Sequence, residues 1–146
     1  MDSYQFSFEK LEVWQLARLL SNDIYKHTAN FPHEEKYLLI SQLRRAAVSV
    51  ASNLAEGTTR IKPKDKAYFT TVAFSSLMEV FNQIIIAADL GYLSNEDVIK
   101  YRKQVQTLSV KLSNLKTSQL KGVSKFGLLF WSLFIPAFSQ RLIPLC

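Results

Sequence analysis

Glycine and proline are scarce in this chain of 146 residues, with four of each. That excludes most loop-rich and all-β architectures, which need these residues at their turns. The single cysteine, Cys146, has no partner within the chain, so no disulfide framework exists and a reducing cytoplasm is the expected location. The opening stretch MDSYQFSFEK has neither the basic nor the apolar run of a signal peptide, which supports the same expectation. There is no glycine-rich phosphate loop and no Gly-x-Ser-x-Gly elbow. The only histidines are His27 and His33. With Glu34 and Glu35 they flank a helix break, and they lack the tight, repeated ligand spacing of a zinc site. The expectation is therefore a non-enzyme without metal or cofactor. Acidic residues are absent after Asp97, whereas Lys100, Arg102, Lys103, Lys111, Lys116, Lys121, Lys125 and Arg141 follow. The resulting net charge of +6 permits contact with polyanions without requiring it.

What the sequence does have is helical periodicity. Val13, Leu16, Ala17, Leu20 and Ile24 recur at helical spacing and predict a first helix over about 8–28. NFPHEE supplies a stop and a start, with Pro32 suited to a first turn and Glu34 and Glu35 suited to a helix's positive end. The second helix is predicted over 33–57, with Leu39, Leu43, Ala47, Val50 and Leu54 inward. Gly57 ends it, and Pro63 prevents continuation. A third helix follows over 64–90, capped at Gly91. Ser94 and Asp97 form a capping box that opens a fourth, over 95–119. Four long helices with short connections predict an all-α, antiparallel up-down-up-down four-helix bundle over residues 1–120.

Residues 121–146 depart from this pattern. The run Phe126–Phe138 is apolar but spans 13 residues and contains Pro136, against about 20 for a membrane-spanning helix. This apolar C-terminal tail is expected to pack on the bundle or on a partner subunit. A membrane-surface contact, with Trp131 between basic flanks, is an alternative, and an altered reading frame is another.

Three surfaces are candidates for function. A polar stripe on the second helix carries Gln42, Arg45, Ser49, Ser52 and Glu56, with Ala46, Ala51 and Ala55 beside it. It is either solvated or a subunit contact whose polar groups fix register. The third helix has a core stripe of Phe69, Ala73, Leu77, Val80, Ile84 and Ala87. A second stripe, Phe74, Met78, Phe81, Ile85 and Ala88, lies roughly 100° around the cylinder and needs cover from a neighbour or from its own broad bundle face. Up-down topology also brings Arg60, Lys62, Lys64 and Lys66 to the end occupied by Lys116 and Lys121. That makes either an electropositive phosphate-binding end or a solvated loop.

The segments FEKLEVWQLARLL, IYKHTANFPHEEKYLLISQLRRAAVSVASNLAEGTTR and KDKAYFTTVAFSSLMEVFNQIIIAADLGYLS resemble, in order, the four-helix-bundle proteins encoded by intervening sequences in 23S ribosomal RNA genes. These are relatives of the accessory variability proteins of diversity-generating retroelements. The likeness covers about residues 6–120. It implies a ring-shaped homopentamer without enzyme activity, a nucleic-acid-binding role and, in the retroelement relatives, a reverse transcriptase as partner. The recurrent polar positions fall on Gln42, Arg44, Arg45, Ser49, Asn53, Glu56 and Gly57, with Ser76 and Glu79, as assembly or packing residues. The tail has no counterpart in the family. Two functions follow as expectations: a basic oligomeric bundle that binds structured RNA or DNA, or a scaffold that recruits a protein.

Overall fold

The computed structural model describes residues 4–134, with side chains through Lys121. Four helices follow in chain order: α1 Glu12–Thr28, α2 Leu39–Thr58, α3 Pro63–Asp89 and α4 Asn95–Phe134. Among the described residues there is no strand. Short 3-10 turns at Ser7–Lys10 and His33–Tyr37 lead into α1 and α2.

Neighbouring helices run antiparallel, as their cross-contacts require. Between α1 and α2, Ser21 Oγ donates to the Ala47 carbonyl (2.9 Å) and Arg44 Nε to Thr28 Oγ1 (2.8 Å). Between α2 and α3, Ser49 Oγ meets Ser76 Oγ at 2.9 Å and Gly57 lies against Phe69. Between α3 and α4, the Arg102 guanidinium covers the Phe81 ring at 4.8 Å and Thr70 Oγ1 donates to Gln119 Oε1 at 2.9 Å. In each pair residue numbers rise on one helix as they fall on the other, which is the up-down-up-down order.

The core follows the inward stripes expected of the first three helices, except that Phe69, expected at the start of the α3 stripe, is only half-buried and lies under Arg60 instead. Ala17, Leu20 and Ile24 of α1, Leu43, Ala47 and Val50 of α2, and Tyr101, Leu108 and Leu112 of α4 are buried around α3. On α3 itself Ala73, Leu77, Val80, Ile84 and Ala87 are fully buried. Among the described residues α3 alone is long and apolar enough to cross a membrane. Its apolar face is instead consumed by α2 and α4, as in a central bundle helix.

Several boundaries differ from the periodicity for local reasons. Residues 7–10 form a 3-10 turn and Leu11 is extended (φ −78°, ψ 116°), so the first helix begins at Glu12. The turn brings Phe8 onto Trp14, with ring centroids 4.9 Å apart. Pro32 is extended (φ −53°, ψ 142°) and precedes a 3-10 turn, and Leu38 (φ −110°, ψ −111°) separates that turn from α2. The Leu39 N–H donates to the Glu35 carboxylate at 3.2 Å, so an acidic group does hold the positive end. Pro63 opens α3 at its first turn, where its missing N–H costs nothing.

At Gly91 (φ 78°) the expected cap forms. The Tyr92 N–H reaches the Ala87 carbonyl (2.8 Å) and the Gly91 N–H reaches Ala88 (2.9 Å), a Schellman arrangement. The capping box also forms: Ser94 Oγ and N–H donate to Asp97 Oδ2, and the Asp97 N–H returns to Ser94 Oγ.

The fourth helix, expected to end near 119, continues to Phe134. No proline occurs between Pro63 and Pro136, so the backbone meets no obstacle there. The 121–146 tail thus begins as α4. Its remainder, with Pro136 and Arg141, and the packing or membrane contact expected of it, lies outside the described residues.

The seam between α1 and α4 is held largely by polar groups. Lys111 Nζ reaches Glu12 (2.8 Å), Gln104 Nε2 and Lys100 Nζ reach Asp23 Oδ2 (2.9 and 3.5 Å), and His27 Nδ1 bonds to the buried Tyr101 hydroxyl. Burial, followed by the charges of Asp23 and Asp97, pushes the Tyr101 hydroxyl pKa up, so it stays protonated. His27 Nε2 stands 3.5 Å from Asp97 Oδ1. Partial burial disfavours the Asp23 charge, but the bonds from Gln104 and Lys100 outweigh it and its pKa is lowered. The Ser94 hydroxyl bond, opposed by slight burial, lowers that of Asp97.

Two outcomes follow from this packing. An added Cβ at Gly57 would stand 3.1 Å from Phe69 Cβ, so Gly57→Leu drives α2 from α3 and lowers unfolding free energy by about 1–3 kcal/mol, read by denaturant titration. Because Asp23 and Asp97 bind protons less readily folded than unfolded, their contribution is complete above about pH 4 and is lost as pH falls through their depressed values. Asp97→Asn therefore lowers the melting temperature at pH 7 and shows a smaller further drop at pH 3. A variant whose pH profile parallels the wild type would remove Asp97 from that role.

Candidate nucleic-acid interface

The turn from α2 into α3 concentrates cations where a helix least favours them. Lys62 occupies the N-cap, Lys64 and Lys66 follow Pro63, and Asp65 is the one acidic residue of the first turn. A helix N-terminus carries partial positive charge, so these lysines work against the field of their own helix. Lys62 and Lys64 are exposed and Lys66 is half-buried.

Lys66 borders a crevice of about 270 Å³ with Ser7, Leu11, Gly57, Thr70 and Gln119. Lys116 borders one of about 170 Å³ with Thr70, Thr71, Phe74 and Leu112. Thr70 lines both and bonds to the Lys66 carbonyl (3.2 Å) and to Gln119 (2.9 Å). Lys66 and Lys116 thus line neighbouring crevices that share Thr70, at the end where Lys62 and Lys64 lie. Lys121, exposed, follows little more than a turn after Lys116 on α4.

Arg60 behaves differently from the lysines. Its guanidinium ion-pairs with Glu56 and lies over the Phe69 ring at 4.6 Å. Its Nε is buried and has no hydrogen-bond partner among the described residues. Arg60 is thus a structural cation whose charge is shared with Glu56 and the Phe69 ring.

The polar stripe on α2 divides in two. Gln42, Arg45, Ser52 and Glu56 are exposed. Ser49 and Asn53 turn towards α3: Asn53 Nδ2 donates to the Ser49 carbonyl (2.8 Å) and Oγ (3.0 Å), and Ser49 Oγ meets the buried Ser76. Arg44 spans to α1, with its guanidinium 4.7 Å over Tyr25. The second apolar stripe of α3 divides as well. Phe74 and Phe81 pack against the core, while Met78 and Ile85 remain 38% exposed. His27 is turned to Tyr101 and His33 sits in its 3-10 turn. No cluster that could hold a metal ion occurs among the described residues.

Sequence reasoning passed over Tyr68, which is 65% exposed at this basic end. The signal was present in KPKDKAYF, where Lys64 and Tyr68 are one turn apart on a common face.

The model of the 23S rRNA-intervening sequence protein family matches residues 9–114. Among solved structures, the chain is similar to a protein of unknown function from the S23 ribosomal protein family of Bacteroides thetaiotaomicron. That match has 14% identity and a TM-score of 0.52, covering 75% of this chain and 95% of that one. At such identity the likeness concerns the fold alone. No curated protein matches. The family match runs from the 3-10 turn before α1 well into α4 and takes in all four helices, and the chain belongs to the 23S rRNA-intervening sequence protein family.

Proposed function

We propose that this protein is a non-enzymatic, basic, homo-oligomeric bundle of the cytoplasm that binds structured RNA or DNA, or a ribonucleoprotein, through phosphate contacts. The contacts come from Lys62, Lys64, Lys66, Lys116 and Lys121, with Arg60 bracing the turn between them. The observation that carries this reading is the placing of Lys62 and Lys64 against the positive end of α3, an arrangement that folding does not favour and a polyanion would. A ring such as a pentamer would repeat the basic end around its axis. Arg45 of α2 and the exposed Met78 and Ile85 of α3 supply polar and apolar surface for such a contact.

The competing reading is a scaffold that recruits a protein such as a reverse transcriptase without touching nucleic acid. The exposed apolar group Met78, Ile85 and Ile86 favours it, because such a patch serves a protein partner as well as a second copy.

Binding of a structured RNA across a salt series separates the two. The wild type is expected to lose affinity steeply with salt. Lys62→Gln/Lys64→Gln/Lys116→Gln should weaken binding and flatten the slope of log affinity against log salt by about 2 to 3, near one per phosphate contact removed. Light scattering on the same samples reads the oligomer. Unchanged affinity in the triple variant would remove the basic end from the reading, and a discrete oligomer indifferent to RNA would favour the scaffold.

A further inference from the structure

Phosphate contacts alone do not distinguish a duplex from a single strand, but the basic end carries more than charge. Tyr68 is 65% exposed and Ile61 is 93% exposed, both beside lysines that an ordinary solvated turn would leave without apolar company. The Tyr68 ring meets Phe69 edge-on, with centroids 5.5 Å apart and planes at 82°, so the contact steadies the ring without covering it. Phe69 is itself held by the Arg60 guanidinium, 4.6 Å over its ring and ion-paired with Glu56. Arg60, Phe69 and Tyr68 thus form a braced series whose last member is open.

Lys64 lies four residues before Tyr68, so the two share a face with Cβ atoms about 5–6 Å apart. A flexible ammonium at that distance can meet the phosphate of a nucleotide whose base rests on the tyrosine. A duplex hides its base faces in its own stack and offers only phosphates, whereas an unpaired base offers its π-face to any exposed aromatic ring.

We infer that Tyr68, braced through Phe69 and Arg60, is a stacking platform for an unpaired base, and that the basic end takes single-stranded or looped nucleic acid in preference to duplex. This inference rests on the phosphate-binding reading above and adds the strandedness of its ligand.

The test uses the full chain and fluorescence anisotropy. The probes are oligouridylate and oligothymidylate of about 12 nucleotides, within the site size of a small single-strand binder, and an RNA duplex of equal charge. The wild type should bind the single strands more tightly than the duplex, and the tighter of the two single strands identifies RNA or DNA as the source. Tyr68→Ala should lose about tenfold on the single strands, in the range of one lost base stack, and less than twofold on the duplex. Tyr68→Phe should keep the preference. Tyr68→Leu, which retains apolar bulk without a π-face, should behave as the alanine variant, and melting curves report whether each variant is folded. Equal binding of single strand and duplex, or a folded Tyr68→Leu with wild-type affinity, overturns the stacking platform while the lysine dependence still stands. Absence of binding to all three probes overturns the phosphate reading and this inference together.

Discussion

The packing of α3 between α2 and α4 is the constraint on which the rest depends. Ala73, Leu77, Val80, Ile84 and Ala87 are small or branched residues, fully buried, and they let two neighbours approach one helix from different sides. Because that face is consumed internally, the direction of every remaining surface follows from the rotation of α3. Met78 and Ile85 are pushed outward, Phe74 and Phe81 are left at the edge of α4, and Lys64 and Tyr68 are carried onto one exposed line at the helix start. Any change that rotated α3 would move the basic turn and the outward apolar pair together.

The two seams of the bundle are built from different chemistry. Between α2 and α3 the contact is close and mainly apolar, with Gly57 against Phe69 at the tightest point and a small hydroxyl cluster of Ser49 and Ser76 at its middle. Between α1 and α4 charged and neutral polar groups line up from Glu12–Lys111 through Asp23–Gln104 to His27–Tyr101. The first seam gains from area removed from water. The second gains from satisfied polar groups, whose main effect is to exclude other registers.

Helix number, order and inward faces were legible because core burial writes a 3.6-residue period into the sequence. The Gly91 cap and the Ser94–Asp97 box were legible because each depends on residue types at fixed offsets. Helix starts were less so: neither the 3-10 turn before Glu12 nor the break at Leu38 leaves a periodic signature. The candidate site was legible as charge and only partly as geometry. Arg60 looks like one more free cation until Glu56, four residues earlier, and Phe69 claim it. Ser49 and Asn53 look like solvent-facing groups until Ser76 is placed opposite them, and a single chain's periodicity does not reveal such a pairing across helices. Tyr68 belongs to neither apolar stripe of α3: at 100° per residue it falls well away from the Ala73–Ala87 face and beside Lys64, so its outward position was legible in the periodicity and was simply passed over.

The length mismatch between the last two helices has a consequence for shape. At 1.5 Å per residue, the 27 residues of α3 span about 40 Å and the 40 residues of α4 about 60 Å. Thr70 of α3 bonds to Gln119 of α4; from that level α4 runs 15 residues on to Phe134 while α3 runs 7 back to Pro63, so about eight residues, roughly 12 Å of helix, stand as a post beyond α3 at the lysine-bearing end. A post of that height makes the end a notched surface that a broad, stiff rod meets at a tilt, while a thin, pliant chain can bend around its foot and lie in the notch.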